Sequence, residues 1–310
     1  MTWTHHNLLD VDSLNREEME LLLDQAGHME ELLDRPIKKV PALRGKMVVN
    51  IFFEPSTRTR VSFELAEKLL GADAVNWSAS GSSTKKGETL RDTAWTLEAM
   101  GADAVVIRHG MAGAPWYLKS KLKRASVFNA GDGAHAHPTQ ALLDVYTLRK
   151  RLGSLDGRRV TIIGDVLHSR VVRSNAQAFT TLGASVVLSG PRTLMPREVE
   201  ALPATYEPDP GRAVEGADAV YLLRIQKERA DQGLFPSEDE YHRRYGADQK
   251  LLARAKEGAF VMHPGPMNRG VEIASVLADG PESLILDQVR SGVAVRMALL
   301  YLCLGGGAES

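Results

Sequence analysis

The sequence has very little of what disulfide-linked, zinc-binding or membrane proteins need. Cys303 is the only cysteine among 310 residues, which excludes a disulfide framework and a cysteine-ligated zinc site. The most apolar segment, residues 293–304, is interrupted by Arg296 and is too short to span a bilayer. No stretch has the character of a signal peptide, so we expect a soluble protein of the reducing cytoplasm.

An excess of charge of one sign is also missing. The chain has 38 Lys and Arg residues against 39 Asp and Glu residues, which gives a formal net charge of −1. Nucleic-acid-binding proteins usually carry a basic excess, so this balance argues against nucleic acid as the main partner.

Apolar residues, by contrast, are plentiful. They make up 44% of 310 residues, enough for two domains that each bury a core. Short apolar runs alternate with segments of helical periodicity through residues 47–150, and the alternation resumes at residues 160–163. This pattern predicts an α/β protein with two doubly wound parallel sheets. The boundary is predicted in the charged, glycine-containing stretch 149–157, so that the domains are residues 1–150 and 151–287.

The most informative stretch joins a strand to a helix. Residues 47–53 form a nearly unbroken apolar run, typical of a strand buried on both faces, and helical spacing runs from Val61 to Gly71. Between them, residues 55–60 (PSTRTR) place three hydroxyl and two guanidinium groups on the first turn of the helix. Free backbone N–H groups and the helix dipole attract an anion there. A capping Ser or Thr followed by solvated arginines would give the same pattern, but the density of donors favours a phosphate site.

Charged residues follow several predicted strands, at the edge where open α/β sheets bind ligands. Arg108 and His109 follow one strand and Arg224 follows another, while Arg170 begins a predicted helix. For Arg108, an arginine that merely reaches solvent beyond the strand end would look the same, but we favour a ligand contact. We interpret Arg170 as an anion contact. Residues 164–170 lack the second and third glycines of the G-x-G-x-x-G dinucleotide signature, and no G-x-x-x-x-G-K-[ST] loop occurs.

Two histidines precede another predicted helix. His135 and His137 stand just before Pro138, which suits the first turn of a helix. Two histidines on an irregular loop without a neighbouring carboxylate or cysteine ligand make a weak metal site, and no metal is expected. His137 and Gln140 can instead face the helix-entry pocket as neutral donors.

Two polar stretches are predicted to be loops. Residues 78–88 contain Lys86, and a solvated loop and a loop that closes over an anionic substrate both remain open interpretations. The charged segment that follows Arg229 and ends at Gly246 is predicted to be a long movable loop.

Residues 53–60 (FEPSTRTR) resemble the signature of the aspartate/ornithine carbamoyltransferase family, whose members bind carbamoyl phosphate. Further stretches match that family in order and spacing, namely 85–88, 107–109, 137–140, 224–229 and 263–266. Ornithine enzymes typically carry Asp…Ser-Met-Gly and His-Cys-Leu-Pro, whereas this chain has RIQ and HPGP in those places, which resembles the aspartate enzymes. Many relatives have leucine where Gly265 stands.

The resemblance implies transfer of a carbamoyl group from carbamoyl phosphate to the amine of L-aspartate, in de novo pyrimidine biosynthesis, with no metal or cofactor. It implies that the C-terminal helix, residues 288–304, returns to the first domain. The catalytic residues that it implies are Arg58, Thr59, Arg108 and His137. The carbamoyl phosphate ligands that it implies are Ser56, Thr57, Arg58, Thr59, Arg108, His137, Gln140, Gly265 and Pro266, with Ser82 and Lys86 from a neighbouring subunit. The aspartate ligands that it implies are Lys86, Arg170, Arg224 and Gln226.

A subunit that completes its neighbour's site implies an oligomer, by resemblance a homotrimer. Whether regulatory chains or a dihydroorotase join it stays open, and neither nucleic acid nor a membrane is an expected partner. Three other interpretations also stay open: a carbamoyltransferase for another amino acid, a phosphate- or nucleotide-binding module without catalysis, and a dinucleotide enzyme.

Overall fold

The protein is described here by a computed structural model that covers residues 2–78, 89–225 and 237–305. The chain forms two compact units. The first comprises Met1–Tyr146 together with Val289–Ser310, and the second comprises Thr147–Gln288.

The first unit is built on a parallel sheet with the strand order β2–β1–β3–β4. The strands are β1 (Met47–Phe52), β2 (Asp73–Ser78), β3 (Ala104–His109) and β4 (Ser126–Asp132). The helices in chain order are α1 (Arg16–Leu33), α2 (Thr57–Leu69), α3 (Leu90–Ala99), α4 (Ala114–Lys121) and α5 (Pro138–Leu152), the last of which continues into the second unit.

The central strands of this sheet are apolar because helices cover both of their faces. Val49 and Ile51 of β1 pack with Val105 and Ile107 of β3 in one buried cluster, which also includes Val127 of β4. Burial of each such side chain contributes about 1.5–3 kcal/mol to folding. This core holds the carboxyl ends of the three strands at one edge of the sheet.

The second unit has a parallel sheet with the strand order β7–β6–β5–β8–β9. The strands are β5 (Arg159–Ile163), β6 (Ser185–Ser189), β7 (Thr205–Tyr206), β8 (Ala219–Leu222) and β9 (Phe260–Met262). The helices are α6 (Arg170–Thr181), α7 (Pro210–Ala213), α8 (Glu238–Tyr245), α9 (Gln249–Leu252), α10 (Ser275–Ala278) and α11 (Ile285–Leu304). From Val289 onward α11 belongs to the first unit.

These sheets confirm the predicted α/β class with two doubly wound parallel sheets, and α11 confirms that the C-terminal helix returns to the first unit. No helix within the described parts of the chain has the length and apolar character of a membrane span.

Part of the predicted boundary stretch is helical. Helix α5 continues to Leu152, and its last turn contains Arg149, Lys150 and Arg151. The positive charges that suggested a linker stabilise the carboxyl end of the helix dipole. Gly153 follows at a φ of 77°, a conformation that favours glycine after a helix.

The predicted movable loop before Gly246 is also partly helical. Helix α8 begins after Ser237, whose side chain accepts from the Glu240 N–H group, and its first turn is acidic while its last turn is basic. That charge order matches the helix dipole. Charge density alone was therefore a poor indicator of a loop. Residues 226–236 lie outside the described residues.

Candidate functional site

Helix α2 begins at the carboxyl end of β1 without a side-chain cap. Ser56 occupies the N-cap position, yet its hydroxyl makes no capping hydrogen bond. Two other helices of this unit do use their caps, because Asn15 and Thr89 each form a reciprocal capping box. The first turn of α2 has no acidic residue either. The simple capping interpretation is therefore wrong, and the start of α2 keeps the N–H donors that attract an anion.

The side chains on this first turn differ in exposure. Thr57 and Arg58 are exposed on the surface, whereas Thr59 is buried and its carbonyl accepts from the Ser62 hydroxyl at 3.1 Å. Partial desolvation lowers the pKa of Arg58 from its usual value. The turn thus combines hydroxyls with a permanent positive charge.

Arg108 lies at the end of β3, next to this turn. The Phe53 N–H group donates to the Arg108 carbonyl at 2.9 Å, which joins the β1–α2 junction to β3. The Arg108 guanidinium donates from Nη1 to the Ala130 carbonyl at 3.1 Å, and its Nε lies 3.7 Å from Glu54 Oε2. Arg108 is therefore held between the carboxyl ends of β1 and β4.

His137 and Gln140 stand at the start of α5. Pro138 is the first residue of that helix, as predicted, and buried His137 precedes it. The Gln140 side-chain nitrogen donates to Asp144 Oδ1 at 2.9 Å. This bond holds the amide nitrogen on Asp144 with a second N–H donor remaining, and the amide oxygen is the acceptor that the side chain offers to a ligand.

His135 does not pair with His137 as a metal site, and the expectation that no carboxylate lies nearby is wrong. His135 Nδ1 lies 3.1 Å from Oδ2 of buried Asp132. The same carboxylate accepts from Asn129 Nδ2 at 2.8 Å and from the backbone N–H groups of Gly113 at 2.7 Å and Ala136 at 3.2 Å. Within the described residues no group of His, Cys, Asp and Glu could hold a metal ion. Asp132 instead organises the loop that delivers His137.

The second unit repeats this local arrangement. After β5, His168 Nδ1 lies 2.9 Å from Oδ1 of buried Asp165, and the His168 N–H group donates to the same oxygen at 3.1 Å. Both loops read Gly-Asp-x-x-His, at 131–135 and 164–168. Two residues after each histidine stands a predicted site residue, His137 or Arg170. Sequence reasoning missed these pairs, although the repeated spacing was a readable signal.

Arg170 and Arg224 lie in the segments that follow two neighbouring strands of the second sheet, β5 and β8. Arg170 is the first residue of α6, and Arg224 follows β8. Strands β5 and β8 pair directly, and the Leu223 N–H group donates to the Ile163 carbonyl at 2.8 Å. Both half-buried arginines therefore lie at the carboxyl edge of one sheet.

Gly265 and Pro266 belong to the turn after β9, beside β8 at the same edge. Gly265 has a φ of 62°, in the left-handed region that favours glycine.

Each unit thus gathers its own predicted residues at one sheet edge. The first holds Ser56, Thr57, Arg58, Thr59, Arg108, His137 and Gln140, and the second holds Arg170, Arg224, Gly265 and Pro266. Ser82, Lys86 and Gln226 lie outside the described residues, so their roles stay predictions.

Comparison with known families matches both units. Residues 6–150 match the family model described as aspartate/ornithine carbamoyltransferase, carbamoyl-P binding domain, and residues 156–303 match its Asp/Orn binding domain. The chain is 57% identical over 301 residues to the aspartate carbamoyltransferase catalytic subunit of Acidothermus cellulolyticus, covering 97% of this chain and 93% of that protein.

Solved structures of both acceptor types are similar. Aspartate transcarbamoylase from Trypanosoma cruzi, in complex with carbamoyl phosphate and aspartate, has a TM-score of 0.85 at 30% identity and covers 96% of this chain and 95% of its own. Ornithine carbamoyltransferase from Pyrococcus furiosus has a TM-score of 0.88 at 28% identity and covers 99% of each chain. Backbone similarity alone therefore does not distinguish the two acceptors.

Proposed function

The chain belongs to the aspartate/ornithine carbamoyltransferase family, and from that membership we propose that it transfers the carbamoyl group of carbamoyl phosphate to L-aspartate. The products are N-carbamoyl-L-aspartate and phosphate. The observation that carries the choice of acceptor is the pair of arginines, Arg170 and Arg224, at the carboxyl edge of the second sheet. The 57% identity with an aspartate carbamoyltransferase catalytic subunit supports the same choice.

The phosphate group binds at the start of α2. Ser56, Thr57 and Thr59 supply hydroxyls, the uncapped first turn supplies N–H groups, and Arg58 supplies positive charge. Ser82 and Lys86 of a neighbouring subunit add donors in this proposal. The absence of acidic residues from the first turn supports a dianionic guest, since a carboxylate there would repel it.

The carbamoyl group lies between donors and acceptors. Thr59, Arg108 and His137 donate to its carbonyl oxygen, where negative charge grows as the amine attacks. The Gln140 amide oxygen and the backbone around Gly265 and Pro266 accept from its amide nitrogen. The hydrogen bond from Gln140 to Asp144 supports this division, because it turns the amide nitrogen toward that carboxylate and the acceptor oxygen away from it.

The aspartate carboxylates pair with Arg170 and Arg224, with Lys86 and Gln226 completing the pocket. Arginine suits a dicarboxylate because its guanidinium binds a carboxylate through two parallel hydrogen bonds. An ornithine acceptor has a cationic side chain, which would call for carboxylates at the same edge.

The bond changes need no covalent intermediate on the protein. The aspartate amine forms a C–N bond to the carbonyl carbon, and the C–O bond to phosphate breaks. The amine loses a proton to the departing phosphate, so no side chain acts as general base. The protein accelerates the reaction by orienting the two substrates and by stabilising the charge that develops on the carbonyl oxygen.

The active assembly in this proposal is a homotrimer in which subunits share sites, working in the cytoplasm in pyrimidine biosynthesis. Exposed apolar residues on α2 and on the edge strand β2 support a subunit contact on this side of the first unit. They are Val61, Leu65 and Val75. The contact would place a neighbour beside the phosphate turn.

The deciding experiment offers the purified protein carbamoyl phosphate with L-aspartate or L-ornithine separately and measures the carbamoylated product. Product with aspartate alone supports the assignment, whereas product with ornithine alone overturns the acceptor. Turnover with neither amine, while phosphate analogues bind, favours a binding module.

A matched pair of variants tests the role of Arg224. Arg224→Met should raise the KM for aspartate about tenfold to a hundredfold, because a charged hydrogen bond is lost. Arg212→Met is the control, since Arg212 is an exposed arginine of the same unit that pairs with Glu207 at 3.3 Å. Equal effects of both substitutions would contradict the assignment.

A further inference from the structure

A buried histidine holds the turn that carries Gly265 and Pro266. His263 follows β9 and is only 1% exposed. Its imidazole Nδ1 accepts the Gly265 N–H group at 2.8 Å, and its backbone N–H group donates to Gln288 Oε1 at 3.0 Å. Since Nδ1 accepts a hydrogen bond, the proton of the neutral ring resides on Nε2.

That Nε2 faces a buried carboxylate. It lies 3.3 Å from Oε1 of Glu272, which is 1% exposed. The same Glu272 oxygen accepts the Asn268 N–H group. One oxygen atom therefore contacts both ends of the turn, His263 at its start and Asn268 at its end.

Asn268 extends this network to the neighbouring strand. Its side-chain nitrogen donates to the Ile225 carbonyl at 3.1 Å, one residue after Arg224. The turn and the Arg224 segment are thus held in a fixed relation within the second unit.

We propose that His263 and Glu272 are positioning residues for the carbamoyl group, because they orient the Gly265–Pro266 backbone. In the same proposal, Asn268 fixes the position of that backbone relative to Arg224. This inference rests on the proposed function. Burying a carboxylate and an imidazole costs free energy that an apolar pair of the same size would not cost. What these polar groups provide is orientation of the turn, because their contacts are directional. A neutral imidazole with its proton on Nε2 is the state that accepts from Gly265 while its protonated nitrogen lies 3.3 Å from Glu272, a close contact without hydrogen-bond geometry.

Two substitutions at one position separate positioning from packing. His263→Asn keeps an oxygen near the site of Nδ1, so it can still accept from Gly265. His263→Gln places its amide near the site of Nε2 and leaves the part-buried Gly265 N–H group without this acceptor. Both remove the ring, so a packing role predicts similar losses.

The measurement compares the KM for carbamoyl phosphate with the inhibition constant of inorganic phosphate. Phosphate contacts only the first unit in the proposed site, whereas the carbamoyl amide needs the 263–266 turn. His263→Gln should raise the KM for carbamoyl phosphate and lower kcat, together about tenfold or more in kcat/KM, with the inhibition constant of phosphate changed by less than about twofold. His263→Asn should recover most of that loss.

Asn268→Ala is a milder second variant, because Asn268 is only half-buried. It should raise the KM for aspartate about threefold to tenfold, with a smaller effect on the KM for carbamoyl phosphate. It keeps the proposal testable if the His263 variants do not fold. His242→Asn is the matched control: His242 Nδ1 contacts the Val271 carbonyl at 2.9 Å but does not touch the turn.

The outcomes are distinguishable. If His263→Asn and His263→Gln lose activity equally, with parallel changes in Tm and in phosphate inhibition, the residue is structural and the inference is overturned. If Asn268→Ala leaves the KM for aspartate unchanged, the link to Arg224 is overturned. A wild-type protein without carbamoyl transfer would refute the proposed function instead, whatever the variants do.

Discussion

Replacement of Glu67 by glutamine should stabilise the first unit increasingly as the pH rises. Glu67 lies on α2, the helix of the proposed phosphate site, and its side chain is fully buried. Asn50 Nδ2 donates to Glu67 Oε2 at 2.8 Å, but Oε1 of Glu67 has no hydrogen-bond partner among the described residues. Burial raises the pKa of Glu67 from 4.5 to about 8.

The sign and size of the effect follow from proton linkage. Between pH 4.5 and about 8 the folded protein binds the Glu67 proton more tightly than the unfolded chain, so the free energy of unfolding falls as the pH rises. At 1.36 kcal/mol per pKa unit, this loss amounts to about 3 kcal/mol between about pH 5 and about pH 8. Glutamine is a neutral analogue of the protonated acid, and its amide can donate to Asn50 Oδ1, which has no partner within the described residues. The substitution should therefore remove this part of the pH dependence.

The assay is urea unfolding of wild type and Glu67→Gln at several pH values. The difference in the free energy of unfolding should grow with pH by about 3 kcal/mol across that range. Glu64→Gln is the control on the same helix, since Glu64 pairs with Lys68 and its pKa is lowered. The stability that Glu64 contributes is present above pH 4.5 and is lost only at lower pH, so Glu64→Gln should show no growing gain. A pH-independent difference between wild type and Glu67→Gln would refute the reasoning.

Three further predictions concern polar side chains of the first unit, two of them buried and one half-buried. Arg296→Lys should lower the free energy of unfolding by about 1–3 kcal/mol in urea titrations, because one ammonium cannot replace both guanidinium hydrogen bonds, to the Gly292 carbonyl at 3.0 Å and the Thr139 hydroxyl at 3.1 Å. Asp132→Asn should reduce kcat about tenfold and also lower Tm, because an amide cannot accept from all the N–H groups that the buried carboxylate holds, and the loop before His137 is loosened. Unchanged kinetics would count against that role. Burial lowers the pKa of His109 from 6.5, so stability is full above pH 6.5 and falls on acidification; His109→Asn should flatten this fall in thermal melts taken at decreasing pH.

Patterns within one segment predicted the architecture well. The apolar run at residues 47–53 became β1, and the hydroxyl- and arginine-rich turn after it starts α2 as expected. Pro138 opens α5 because proline lacks the N–H group that a first helical residue does not use. These features depend on nearest neighbours along the chain, so the sequence alone reveals them.

Where two local tendencies competed, sequence reasoning was less successful. The basic residues 149–151 suit both a linker and the last turn of a helix, and they form the last turn of α5. Residues 238–245 are as polar as a loop, yet the Ser237 cap and the charge order along α8 stabilise a helix. Polarity indicates exposure to water and does not specify the backbone conformation.

The sequence by itself determined the α/β class, the family and which residue types gather at the predicted phosphate turn, because each of these is written in local spacing and in matching stretches. Only the tertiary structure decided that His263 faces Glu272, that Asn268 reaches Ile225 and that Asn50 meets Glu67. Their partners come from other segments, and these contacts depend on differences of a few tenths of an ångström in interatomic distance, which no periodicity encodes. Burial then raises the pKa of Glu67, and the Gly265 N–H group selects the tautomer of His263.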